Sequence, residues 1–313
     1  MKLSKQIAIL TAIALIFVSF NVGLYALVTY RCGSNFGTRI IEPERYLPFT
    51  DNSSIVKVES ELQLEGDIPV IDGAAALLPV YSAIVDSVYP PESVVFDGKS
   101  YCDNSAIVFT DTVKAYKGVV DGTADVILCA SPSEQQKKYA EEQGVDLVYV
   151  PIGYEAFVFF VNDDNPVDSL TVGQIRDIYA GDITNWADVG GANRPINTVD
   201  RPEGSGSQTV MLKFMGDRSI KKNPLAIFGG AIGFSFRFYV EDVVGNGGIK
   251  LLSVNGIYPS EENIRNGSYP IIQEFYAVYR ADNENENVKK LVDFMLSNEG
   301  QRIIDENGYT PLQ

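Results

Sequence analysis

The chain opens on an unbroken apolar run. Residues 7–28 carry no charge and follow Lys2 and Lys5, and a stretch of that length suits a helix spanning a bilayer. Lysines on its N-terminal side predict that everything after Arg31 lies outside the cytoplasm. A secretory signal has a shorter apolar core and a small-x-small cleavage site. Leu24-Tyr25-Ala26 fits that poorly, so residues 1–31 read as a retained N-terminal transmembrane helix, with a cleaved signal as the alternative. Cys32 brings in a lipidated form as a further alternative, although Thr29-Tyr30-Arg31 before it are not the small residues that lipidation favours. Residues 32–66 show no sustained period and contain Pro43, Pro48 and Ser53-Ser54, which reads as a stalk or linker.

From Asp67 the pattern changes to short apolar runs alternating with amphipathic ones. The apolar runs predict strands over residues 68–71, 106–109, 124–129, 146–150, 155–161, 196–199, 231–239, 249–254 and 271–279. Three- and four-residue spacing predicts helices over 75–88, 112–120, 207–215 and 285–296, one from Ser133 closed by Gly144, and a shorter one after Glu299. Thr171-Val172-Gly173-Gln174 has the spacing of a capping box and opens a further helix with Ile175, Ile178 and Tyr179 on one face. Strand–helix alternation of this kind predicts an α/β fold with a largely parallel sheet. Two strands in near succession around residue 151 predict a crossover between lobes.

Composition sharpens that picture. The chain has 313 residues, more than the ~250–300 at which a single core stops growing, so two lobes are expected. Acidic residues number 41 against 25 basic ones, for a formal charge of −16. That balance lacks the basic footprint nucleic acid requires, so no nucleic-acid partner is expected. It does not forbid a small anionic ligand, because local N–H groups and one arginine outweigh distant, screened charge. Histidine is absent, which removes the usual general base of serine and cysteine hydrolases and the commonest transition-metal ligand. Cys32, Cys102 and Cys129 have no CxxC spacing and are too few for a structural zinc site. They are expected as unpaired thiols, with a Cys102–Cys129 disulfide as the alternative. No metal, cofactor or catalysis is expected, since an enzyme without histidine needs a carboxylate pair or metal site that the sequence does not display.

The segment Arg201-Pro202-Glu203-Gly204-Ser205-Gly206-Ser207-Gln208 places an arginine, two hydroxyls and glycines just ahead of a helix. A helix N-terminus offers unpaired N–H donors and partial positive charge, glycine lets backbone approach a ligand, and arginine adds a bidentate bond. The combination suits a compact oxyanion. The same residues also read as an ordinary capped helix, with Ser205 or Ser207 as the cap and Arg201 paired to Glu203 or Asp200. Ser205 lacks a GxSxG context, which argues against a nucleophile. Asp72-Gly73-Ala74-Ala75-Ala76 and Thr110-Asp111-Thr112 are two more strand-to-helix turns, the latter also readable as a plain N-cap. Open α/β sheets bind ligands where such turns converge, at the carboxyl ends of the strands. Trp186 and the run Phe234-Ser235-Phe236-Arg237-Phe238-Tyr239 read as core packing with Arg237 turned outward.

At these residues the chain resembles the periplasmic phosphate-binding protein family, the substrate-binding component of phosphate ABC transporters. The resemblance runs from about Ile68 to the C-terminus. It rests on Ile71-Asp72-Gly73 with Leu78-Pro79-Val80-Tyr81, Asn165-Pro166 with Leu170-Thr171, and Gly181-Asp182-Ile183-Thr184-Asn185-Trp186 with Val189-Gly190-Gly191. Arg201 with Gly204-Ser205-Gly206-Ser207, Ala231-Ile232-Gly233-Phe234, and Gly300-Gln301 with Gly308-Tyr309-Thr310-Pro311 complete it.

The resemblance implies a two-lobed periplasmic-binding-protein-like fold of type II, with hinge strands and a closing cleft. Lobe one would comprise residues 67–151 and 272–313, and lobe two residues 152–271. It implies that Arg201 pairs with the anion, that Ser205, Gly206 and Ser207 donate hydrogen bonds, and that Glu203 holds the arginine fork. Backbone N–H groups around Ala75 and Ala76 would form one wall, with a hydroxyl from Thr110 or Thr112 opposite. Three departures stand out. Ala75 occupies a position where the family commonly has Ser or Thr. Cys129-Ala130-Ser131-Pro132 lacks the acidic residue that accepts the proton of bound phosphate, for which Asp111 is the candidate substitute. The segment between Met215 and Ala231 is short. The implied function is capture of a small oxyanion, phosphate foremost, by a monomer at the outer face of the cell membrane, for delivery to an ABC transporter permease. The alternatives are a binding module for another anion or small organic acid, and a membrane-tethered sensor with a degenerate cleft.

Overall fold

The computed structural model describes residues 15–19, 41–221, 229–244 and 248–312. In chain order its strands are β1 (Ile71–Gly73), β2 (Val126–Ala130), β3 (Leu147–Asn162), β4 (Ser169–Leu170), β5 (Ile196–Thr198), β6 (Gly230–Phe236), β7 (Ile249–Leu251), β8 (Ser253–Val254), β9 (Ile272–Arg280) and β10 (Thr310–Pro311). The α-helices are α1 (Leu78–Val88), α2 (Thr112–Asp121), α3 (Glu134–Glu142), α4 (Val172–Tyr179), α5 (Gly206–Met215), α6 (Glu261–Arg265), α7 (Glu286–Leu296) and α8 (Asn298–Glu306). Both Ser133 ahead of α3 and Thr171 ahead of α4 close reciprocal capping boxes.

One sheet runs in the order β1-β2-β9-β3-β6-β5, with β7 and β10 also paired to β3. Only the outer pairs, β1 with β2 and β5 with β6, are parallel. The contacts of β9 with β2 and of β3 with β9, β6, β7 and β10 are antiparallel. The sheet is therefore mixed, which corrects the expected largely parallel sheet. Parallel neighbours need a crossover connection, supplied by α1 and α2 between β1 and β2 and by α5 between β5 and β6. The strands expected over 146–150 and 155–161 fuse into β3, with a register shift at Pro151/Gly153, where proline has no N–H to give the ladder. The strand expected over 106–109 shrinks to one parallel bridge between Ile71 and Ile107.

Strand β3 threads two cores. Its first part pairs with β9, and residues from Phe157 on pair with β6 and β7. The first core packs Ile71, Leu128, Phe275, Leu291 and Ile304 around α1; the second packs Phe159, Trp186, Met211 and Ile232. Along β2, Val126 and Leu128 face the first core, whereas Ile127 and Cys129 face a third cluster with Tyr116 and Val119 of α2. Both faces of β2 are covered, which is why its sequence is apolar without alternation.

Helix α1 explains a second correction. All of its residues except Asp86 are buried, and a helix apolar on every side has to be covered on every side. The cover comes from Ile41, Tyr46, Ile55, Val58 and Leu64, which join the first core. The Leu64 N–H donates to Val88 O at 2.8 Å, and Lys57 Nζ lies 2.8 Å from Asp86 Oδ1. The stalk expected over 32–66 is thus part of the folded domain from residue 41 onward. The anchor expected over residues 1–31 lies outside the described residues except for 15–19, which are helical with Leu15, Ile16 and Phe17 exposed. Among the described residues no helix is long and apolar enough to cross a membrane. Cys102 and Cys129 are free thiols, so the alternative disulfide does not form.

Candidate functional site

Three segments bring helix starts to one place between the cores. Strand β1 leads through Gly73 into a 3-10 turn, Ala75–Leu77, which no side chain caps. Glycine is required at position 73 because a Cβ there would stand 2.5 Å from Leu128 O. Helix α2 starts at Thr112 under an Asp111 cap, with Oδ1 accepting the Lys114 N–H at 2.9 Å and Oδ2 lying 3.2 Å from Lys114 Nζ. Helix α5 starts at Gly206 under a Ser205 cap, whose Oγ accepts the Gln208 N–H at 3.3 Å. Gln208 returns the brace: its Oε1 accepts the Arg201 N–H at 3.0 Å. Gly204 has φ +76°, a conformation that favours glycine.

These starts border a cavity of ≈ 400 Å³. Its first-core wall is Ala74–Leu77 with Asp111, Thr112 and Ala130; its second-core wall is Arg201, Pro202, Ser205, Gly206, Ser207 and Ser235. Glu155, Tyr239, Phe275 and Tyr309 also line it. The walls touch along one side. Gln136 Nε2 donates to Gly204 O at 3.0 Å, and Gln135 Nε2 donates to Glu203 Oε1 at 2.6 Å. A side chain on Gly206 would place Cβ 3.4 Å from Ala130 Cβ. Arg201 Cζ sits 5.5 Å from the Tyr239 ring centre, a cation–π arrangement that keeps the guanidinium against the cavity's aromatic side. Ser207 Oγ and Ser235 Oγ are 3.4 Å apart.

Of the residues singled out in the sequence, Arg201, Ser205, Gly206, Ser207, Ala75, Ala76, Asp111 and Thr112 all line this cavity. Thr110 does not: its hydroxyl donates to Asp72 Oδ2 at 2.6 Å and its N–H to Oδ1 at 3.1 Å. Burial pushes the Asp72 carboxyl upward, and the bonds from Thr110 and Gly73 pull it back. Glu203 stands exposed outside the cavity wall, engaged with Gln135. Arg237 is not turned outward. Its side chain is only 13% exposed and lies 2.7 Å from Glu241, away from the cavity lining. Trp186 is core, with Nε1 donating to Gly230 O at 3.0 Å.

Sequence reasoning missed Glu155, Ser235, Tyr239, Phe275 and Tyr309. The aromatic three come from separated segments and carry no shared local signal. Tyr309 joins them by packing on Phe238 and Phe275, with ring centres 4.8 and 5.3 Å away, and its hydroxyl donates to Ala76 O at 2.5 Å. Glu155 did leave a trace, as a lone acid at the head of the apolar run Ala156-Phe157-Val158-Phe159-Phe160-Val161.

Residues 67–299 match a family model described as a PBP superfamily domain. The phosphate-binding protein PstS of Borreliella burgdorferi is 25% identical over 202 residues, covering 58% of this chain and 71% of that protein. The phosphate-binding protein PstS of Bacillus subtilis is 27% identical over 189 residues, covering 55% of this chain and 61% of that one. A Clostridium perfringens protein assigned as a phosphate ABC transporter substrate-binding protein, crystallised with bound phosphate, superposes with a TM-score of 0.57 at 25% identity, covering 78% of this chain and 99% of the other.

Proposed function

The chain belongs to the PBP superfamily, and on that premise we propose that it is an extracytoplasmic solute-binding protein that captures a small oxyanion, inorganic phosphate foremost, for an ABC importer. The observation that carries this reading is the convergence of three helix starts and one arginine on a single cavity between two cores. Oriented N–H groups and a guanidinium stabilise an anion without any bond being made or broken. Relatives named for phosphate binding support phosphate as the anion.

In this reading Arg201 supplies the charge and the fork, while Ser205, Gly206 and Ser207 donate from the α5 start. Thr112 and the N–H groups of Ala75 and Ala76 close the shell from the other side. The lobes divide at residues 152 and 272, with residues 41–64 added to lobe one, and β3 and β9 serve as the hinge strands. Closure buries the anion, and the closed form docks on the permease. The N-terminal segment holds the domain at the outer face of the membrane.

The test is calorimetric titration of the full chain with phosphate at neutral pH, for which micromolar or tighter binding is expected. Absence of binding by phosphate, arsenate and sulfate alike would sink the reading. A second ligand class is favoured by one feature: the cavity's aromatic flank of Phe236, Tyr239, Phe275 and Tyr309 suits an anion with an apolar body. Small organic acids and phosphate monoesters that outcompete phosphate would establish that class instead.

A further inference from the structure

We propose that Glu155 is a ligand-facing acid whose Oε2–H donates a hydrogen bond to the captured oxyanion, so that the anion binds together with a proton. The proposal rests on the oxyanion reading above. Glu155 is 5% exposed, lines the cavity, and sits where β3 passes from one core to the next. Its Oε1 accepts the neighbouring Ala156 N–H at 2.9 Å. Its Oε2 is buried and makes no hydrogen bond of good geometry among the described residues, with the Phe238 N–H the donor near enough to act on the carboxyl. An unsatisfied buried polar atom is costly and calls for an explanation, and a ligand in the adjoining cavity provides one.

Chemistry fixes the sense of the bond. A protonated carboxyl has one O–H to give, and an ionised one only accepts. The Glu155 carboxyl is pushed up to about 8, with burial the largest cause; the Ala156 N–H, the Arg237 guanidinium and the nearby Phe238 N–H oppose that rise, and Glu241 adds to it. Its register partner on β9, Gln273, is uncharged, and the other charged groups lining the cavity are Arg201, Asp111 and Lys114. At neutral pH the neutral, donating form therefore dominates, and an anion placed beside it favours that form further. This sense is opposite to the acceptor for which Asp111 was the candidate. An accepting carboxylate excludes a fully ionised anion, whereas a donating acid admits it.

Sulfate is the decisive probe because it keeps both charges across the neutral and alkaline range. Below about pH 8 the acid is neutral and sulfate affinity should be level; above it Glu155 ionises and affinity should fall, approaching tenfold per pH unit. Calorimetry of the full chain at alkaline pH, in buffers of differing ionisation enthalpy, should register proton uptake on sulfate binding. Glu155→Gln keeps a donor without a titrating proton and should lose both the slope and the uptake. Should that variant fail to fold, the carboxylic-acid carbonyl band of the unaltered protein provides the second readout, and sulfate should move its disappearance to higher pH. Sulfate binding with a level pH profile and no proton uptake overturns the assignment while leaving oxyanion capture intact. So does phosphate binding with sulfate rejected, since a donating wall has no ground for that selectivity. Binding of neither anion overturns the assignment together with the function it rests on.

Discussion

The two walls of the cleft are built by different means. The second-core wall takes its charge and most of its hydroxyls from one short stretch, Arg201 to Ser207, braced internally by Gln208. The first-core wall is assembled from Ala74–Leu77, Asp111–Lys114 and Ala130, brought together by β1, β2 and the bridge at Ile107. It offers backbone N–H groups and the Thr112 hydroxyl, while Asp111 is occupied as a cap. If the cavity takes an anion as proposed, the difference assigns grip to one wall and enclosure to the other. An anion held first by Arg201 and the α5 start would gain its remaining donors when the first-core wall closes on it. Loss of a group should then cost far more on the second-core wall than on the first.

Arg201→Ala is the strongest way to break that asymmetry. Removing one partner of a desolvated, hydrogen-bonded charge pair costs about 2–5 kcal/mol, so phosphate affinity should fall on the order of 100-fold or more by calorimetry. Arg201→Lys should recover only part of it, because an ammonium lacks the planar fork. Equal affinity in Arg201→Ala and the unaltered protein would move the grip to another wall.

How much of this was legible in the sequence follows the same division. The Arg201–Ser207 wall was readable because all its parts are contiguous and lie ahead of a helix. Ala75, Ala76, Asp111 and Thr112 were readable as separate helix starts, and their meeting had to come from the fold. Thr110 and Glu203 were expected in the shell because the resemblance carries them there, but a position beside a turn does not say which way a side chain is spent. Thr110 serves Asp72, and Glu203 serves Gln135. The stalk reading failed because the pairs Val56/Val58 and Leu62/Leu64 are short alternations lost among polar residues. Their partner α1, buried at every residue but Asp86, shows the need for a cover only once its surroundings are known. Glu155 was passed over because an acid at the head of an apolar strand looks like a boundary.

Ser205→Ala tests the cap that organises the gripping wall. It removes both the acceptor for the Gln208 N–H and a cavity-lining hydroxyl. Loss of an N-cap costs about 1 kcal/mol, and a comparable loss in ligand contacts should lower phosphate affinity on the order of tenfold. Thermal unfolding without ligand separates the two parts, since the cap contributes with or without phosphate. A smaller effect is expected from Gln136→Glu, which sharpens the role of the contact between walls. The carboxylate still accepts at the Ser133 N–H, as the glutamine Oε1 does at 2.8 Å, but it has no donor for Gly204 O. Losing that one hydrogen bond should cost about 1 kcal/mol and a several-fold drop in affinity, with the buried carboxylate facing Gly204 O lowering the unfolding temperature as well.

Ala75→Ser probes the enclosing wall by addition. Ala75 opens the uncapped 3-10 turn and lines the cavity, and serine there would add a donor on the side that has fewest. A serine fits without backbone change, since Ala75 already carries a Cβ and hydroxyls at helix starts are well tolerated. One new neutral hydrogen bond is worth about 0.5–1.5 kcal/mol, so phosphate affinity should rise a few-fold. If Ala75→Ser instead tightens binding as strongly as Arg201→Ala weakens it, the two walls contribute equally and the division into grip and enclosure is wrong. If it does nothing, the cleft closes with Ala75 clear of the anion, and the first-core contribution narrows to Thr112 and the α2 start.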